Sequence, residues 1–187
     1  MITAEPKKVT DFFKLAKKSG CWQVGFGIET GDQHVLDRVN KKLTLSQVEN
    51  SVKLAKRAGI NTFGFFILVL PGESVESMRK TIDFAKSLPF DIAKFDICVP
   101  YPGTPYYKEL LAENRIKSFD WSRYVCHQTK HALFEHPNLD WGILEAYYKK
   151  AFKEFYLRPA YIYRRFKRGL MMGDLFYDAF YFLRSKW

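Results

Sequence analysis

The chain has 187 residues, of which 47% are hydrophobic and 27% charged. Those figures exclude a disordered polypeptide, allow one domain with a real core, and are short for two. Its formal net charge of +10 suits an anionic partner such as nucleic acid, a phospholipid surface or a phosphorylated ligand, or simply a basic surface.

The first predicted element is a helix over residues 6 to 18, "PKKVTDFFKLAKK", which places Val9, Phe12, Phe13 and Ala16 on one face. "CWQVGFGI" (21 to 28) reads as a strand that closes on Glu29-Thr30-Gly31, and "DQHVLDRV" as a short helix. Thr44 with Gln47, and Ser46 with Glu49, offer overlapping capping boxes for a helix that should bury Val48, Val52, Leu54 and Ala55 and end at Gly59. Residues 62 to 70 form the second strand. Ser74 caps a helix over about 75 to 87. "IAKFDICV" (92 to 99) is the third strand, ending on a Pro-rich loop, and a helix over about 105 to 113 follows.

Strands separated by helices imply parallel pairing. The apolar run Phe63 to Val69 then reads as a strand covered on both faces. Each strand should end at one carboxyl edge, where α/β proteins bind ligands, so Glu29, Glu73 and the Pro100 to Pro105 loop should converge there. Three such units cannot close an eight-stranded barrel. The predicted fold class is α/β: a partial, half TIM-type parallel βα barrel over residues 1 to 117. A loop and helical extension, aromatic and basic, occupies 118 to 187.

Three cysteines, Cys21, Cys98 and Cys126, are far apart and odd in number. They form neither a disulfide framework nor a Cys-x-x-Cys knuckle, and with no signal peptide evident the expected compartment is a reducing cytosol. No run reaches the roughly 18 to 20 apolar residues of a membrane span. In the extension, Cys126, His127, His131 and His136 have loose metal-ligand spacing, but ordinary packing or surface histidines are the better reading. From Arg158 onward seven basic and two acidic residues interleave with aromatics. That tail, Ala160 to Trp187, suits either contact with a membrane interface, peripheral on its inner face, or packing against the barrel. No nucleic-acid-binding module accompanies the charge.

Four stretches in order carry a resemblance. They are "GFGIETGDQHVLDRVNKKLT" (25 to 44), "AKRAGINTFGFFILVLPGES" (55 to 74), "TIDFAKSLPFDIAKFDICVPYPGTPYY" (81 to 107) and the Arg-Pro-containing "FYLRPAYI" (155 to 162). Together they resemble the C-terminal half of a radical S-adenosylmethionine (radical SAM) core domain, most like the cobalamin-dependent subgroup. The resemblance implies a partial barrel of six βα units, of which these strands are the fourth to sixth. It also implies S-adenosylmethionine and a [4Fe-4S] cluster as cofactors, with cobalamin in an intact parent. The family's Cys-x3-Cys-x2-Cys motif and its Gly-Gly-Glu turn have no counterpart in this sequence. The expectation is a fragment that is inactive alone and pairs with an N-terminal half-barrel.

By position, the resemblance puts Glu29 and its neighbour Thr30 near the ribose, where a carboxylate accepts from two hydroxyls. It puts Ile67 against the adenine, with Val69 where many members carry Gly. Pro71 and Glu73 stand at the next turn, and Pro100 and Pro102 flank the adenine through the sixth strand's end. Local readings compete at each place: a strand-end Glu29, a helix-start carboxylate at Glu73, a rigid Pro turn. Two rival functions follow, a non-catalytic half-barrel or membrane-docking module, and a cluster-independent α/β enzyme using Glu29, Glu73 and Asp96.

Overall fold

A computed structural model describes residues 5–127 and 132–172. In chain order it contains α1 (Pro6–Lys18), β1 (Gln23–Glu29), α2 (Gln33–Arg38) and α3 (Leu45–Arg57). Then come β2 (Asn61–Leu68), α4 (Val75–Ser87), β3 (Ile92–Ile97), α5 (Pro105–Ala112), α6 (Trp141–Tyr156) and α7 (Pro159–Met172). A 3-10 turn covers Trp121–Arg123.

The three strands form one sheet in the order β1-β2-β3, parallel throughout. This is the predicted βα alternation. The helix starts follow local chemistry. Thr44 and Gln47 form the expected reciprocal capping box on α3, and Ser74 forms one with Ser77 on α4. Thr104 caps α5, with Pro105 in the first turn.

One expectation needs correction. The run from Phe63 to Val69 is not covered on both faces. Burial along β2 alternates: Thr62, Gly64, Phe66 and Leu68 are buried, Phe63 and Ile67 half-buried, and Phe65 exposed. Among the described residues the helices cover one face only. On it Phe66 stacks on Phe95, and Phe95 meets Phe152 and Phe155 of α6 edge-on. Val48, Val52 and Ala55 of α3 join this core, while Leu54, expected there, is only partly buried and Ser51 takes an inward place. Each fully buried apolar side chain contributes about 1.5–3 kcal/mol relative to exposure. The core also takes in Leu133, Phe134, Leu144, Phe155 and Tyr161, so residues on both sides of position 117 share it.

The two outer strands end differently. Along β3, the Ile97 N–H donates to the Cys126 carbonyl at 2.6 Å, and the Tyr156 hydroxyl donates to the Ala93 carbonyl at 2.7 Å. Among the described residues β1 pairs with β2 alone, which makes it an edge strand, and the neighbouring Trp22 is 67% exposed.

Candidate functional site

The open face of the sheet is laid out by the period-two alternation of its strands. Gly25, Phe63 and Ile92 form one row across it. Gly27, Phe65 and Lys94 form the next, and Ile67 pairs with Asp96 beyond. The face therefore has a glycine lane, an aromatic lane and a charged lane. Phe63 and Phe65 stack at 4.3 Å with an interplanar angle of 18°. A Cβ on Gly25 would stand 3.0 Å from the Phe65 ring, so glycine is what lets that ring lie flat on β1. Lys94 and Asp96 pair at 3.0 Å.

At the carboxyl edge two non-glycine residues adopt left-handed backbone. Glu29 has φ 75° at a register shift in β1, and Val69 has φ 68° at the end of β2. A β-branched residue in that region is an outlier, costing of order 1–3 kcal/mol, and such outliers cluster at ligand sites. The kink at Val69 ends β2 at Leu68, short of the predicted residue 70. It also carries the Val69 side chain into the core, where it is fully buried.

Glu73 explains how that kink is held. Its Oε2 accepts from the Val69 and Leu70 N–H groups, the latter at 3.1 Å. Its side chain is fully buried, and Oε1 has no hydrogen-bond partner. Burial pushes its carboxyl up to about 8, against the pull of those two amides. His136 fastens the same turn, with Nε2 3.1 Å from the Leu70 carbonyl and Nδ1 accepting from the Asn138 N–H. His136 is thus a packing histidine. His131 lies outside the described residues, and among the described ones no group of three or more His, Cys, Asp or Glu could hold a metal. Gly72, at φ 79°, admits Arg38, whose Cδ would lie 2.5 Å from a Cβ there.

Glu29 is held from outside. Lys41 donates to its Oε1 at 2.6 Å, and both atoms lie over Gly27. Thr30 is buried, with its hydroxyl 2.8 Å from that of Thr81 on α4. Next to it a Cβ on Gly31 would meet the α4 backbone at 2.7 Å, so the end of β1 is pressed against α4. Cys98, just past β3, feels the charge of both Glu73 and Glu29, and burial pushes its thiol up to about 12. The Cys98 N–H donates to the Leu68 carbonyl at 2.8 Å, which joins the ends of β2 and β3.

The placement of the predicted site residues is mixed. Glu29 and Ile67 border the open face. Val69, Glu73, Thr30 and Pro100 turn into the structure, Pro71 is half-buried, and Pro102 is exposed. Glu29, Glu73 and Asp96 are held separately: one is paired to Lys41, one is sealed, and one is paired to Lys94. Sequence reasoning missed Lys41, which lies in a two-lysine run inside the 25 to 44 stretch where nothing distinguishes it from Lys42. It also missed the Phe63–Phe65 platform, whose signal was the i, i+2 spacing on a strand. No helix among the described residues is long and apolar enough to cross a membrane.

Comparison with known proteins gives this geometry a context. The family model described as the radical SAM superfamily matches residues 1–85. An uncharacterized methyltransferase of Pyrococcus horikoshii is 33% identical over 89% of this chain and 38% of its own length. The bacteriochlorophyllide d C-12(1)-methyltransferase of Chlorobaculum tepidum is 30% identical over 81% of this chain and 32% of its own. The chain thus spans about a third to two fifths of the length of these curated relatives. In fold it is similar to the radical S-adenosylmethionine methyltransferase TsrM of Kitasatospora setae, solved with cobalamin and a [4Fe-4S] cluster bound. That likeness has a TM-score of 0.51 at 23% identity, over 56% of this chain and 21% of TsrM. With the ordered motifs, the parallel sheet and these matches agreeing, the chain belongs to the radical SAM superfamily.

Proposed function

We propose that this chain supplies the carboxyl part of a radical SAM barrel and, with it, the wall against which the nucleoside of S-adenosylmethionine rests. The observation that carries this reading is the open sheet face. A flat platform of Phe63 and Phe65, a glycine lane beside it and the Glu29 carboxylate at its carboxyl edge suit a purine and a ribose diol. Ile67 continues the apolar surface toward the strand end. Lys41 orients the Glu29 carboxylate through its 2.6 Å contact, and exchanges or shares it when hydroxyls arrive. Glu73 acts one layer behind, holding the kinked turn at Val69, and is a positioning residue.

The cluster does not fit this chain. Its three cysteines are scattered in sequence, and Cys98 keeps its proton. Thiolates are what such a cluster requires. We therefore derive no step through it here, and we assign the cluster ligands to an N-terminal half-barrel whose strands add beside the edge of β1 that is unpaired among the described residues. In the whole protein S-adenosylmethionine would supply the radical or methyl chemistry, and cobalamin, which is bound in TsrM, would carry a methyl group. This chain's own share is to orient the nucleoside and exclude water.

The test is anaerobic reconstitution with iron and sulfide, alone and with an amino-half polypeptide carrying Cys-x3-Cys-x2-Cys. The expected result is no stable cluster and no cleavage of S-adenosylmethionine by the chain alone, and both with its complement. In the assembled protein Glu29→Gln should weaken S-adenosylmethionine binding about tenfold, the worth of a charge-assisted hydrogen bond. Cleavage by the chain alone would sink the proposal.

A further inference from the structure

The Arg-Pro stretch after α6 lies far from the strand carboxyl ends and has no part in the proposal above. Arg158 and Arg164 reach into a pocket of about 250 Å³. It is formed by the end of α4, the loop before β3 and the first turns of α7, with Lys86, Ser87, Pro89 and Tyr161 also in its wall. The pocket therefore sits at the amino edge of the sheet, on the opposite side of the chain from Glu29 and Val69.

Its electrostatics are unbalanced. Lys86 is neutralised by Glu154 at 2.6 Å. Arg158 and Arg164 form no ion pair with a carboxylate among the described residues. Each instead donates to a main-chain carbonyl, Arg158 to Lys86 and Arg164 to Phe90. Both guanidinium groups stand over the Tyr161 ring, at 5.7 and 5.5 Å from its centre. The acid whose field reaches Arg164 is Asp91. Its carboxylate is already bonded by Lys56 at 2.8 Å and by the Thr62 N–H at 2.7 Å. Burial and the charge of Arg164 both disfavour the protonated form of Arg158. Two part-buried cations face one cavity, repel each other, and keep donors that no acceptor among the described residues uses.

We propose that this pocket binds the phosphate group of an anionic ligand through Arg158 and Arg164. A guanidinium presents its donors in a planar fork matched to phosphate oxygens, and a dianion between two such forks removes their repulsion. Tyr161 and Pro89 supply a flat apolar wall for whatever carries the phosphate. A soluble phosphomonoester and a lipid headgroup share this chemistry.

The test is calorimetric titration of the 187-residue chain with inorganic phosphate at constant ionic strength. Binding should be saturable and at least tenfold weaker in Arg164→Gln, but unchanged in Lys149→Gln, which removes a cation elsewhere on the surface. Arg158 also packs on Phe155, so Arg158→Gln is read only beside a circular dichroism spectrum that matches the parent. Two further arms separate the sources. Arg164-dependent binding of a nucleoside monophosphate supports a soluble ligand. Arg164-dependent pelleting with phosphatidic acid vesicles, without nucleotide binding, supports a headgroup. Absence of saturable phosphate binding in the parent chain, or equal loss in Arg164→Gln and Lys149→Gln, overturns the proposal.

Discussion

Glu73 shows how one side chain can be structural and costly together. Its two amide contacts hold Val69 in the left-handed region, yet its second oxygen has no partner in a sealed site. An unfolded chain releases this proton near pH 4.5, and the folded one holds it to about pH 8. Between those values the folded state binds more protons, so the contribution of Glu73 to stability falls as pH rises from about 4.5 to about 8 and is constant on either side. Glu73→Gln keeps an acceptor for both amides and removes the charge. In urea titrations the variant should lose that slope and exceed the parent above pH 8 by on the order of a few kcal/mol. An unchanged slope would show that Glu73 does not titrate as described. Glu29 was legible as a strand-end carboxylate because Glu-Thr-Gly follows an apolar run. Its ion pair with Lys41 was not, because a contact 12 residues away across a turn leaves no periodic trace.

At the scale of the element, β2 is where pattern reading fell short. Its residues from Phe63 to Val69 are all apolar or small, so composition alone cannot say which face is covered. The helices decide: α3, α4 and α6 lie on the Phe66 side. The two faces should then respond differently to substitution. Phe66→Ala removes a fully buried ring and should cost about 3–5 kcal/mol. Phe65→Ser, at a position 38% exposed, should cost only about 1 kcal/mol of stability while weakening nucleoside binding in the assembled protein. Paired denaturation curves check the first claim, and equal losses would show that the Phe65 face is covered. Helix boundaries were far more legible. Thr44, Ser74 and Thr104 each satisfy N–H groups of their own helix, a local arrangement that the sequence spells out.

At the scale of the whole molecule, an edge strand and an apolar platform stand open together among the described residues. Unpaired strand edges and exposed aromatic surface drive association. Sedimentation of the chain alone should therefore show concentration-dependent self-association that declines as an amino-half polypeptide is added. A monomer at all concentrations, unaffected by that partner, would count against an interface at β1. Order and spacing along the chain were enough to establish the βα alternation, the parallel pairing and the superfamily, because strand period, helix caps and loop residues are local properties. Only the tertiary structure decided which face of the sheet is open, that Val69 and Glu73 turn inward while Glu29 stays at the rim, and that Arg158 and Arg164 share a cavity. Those facts depend on which surfaces meet across 60 or more residues of chain, and burial there is settled by packing, whatever the residue type.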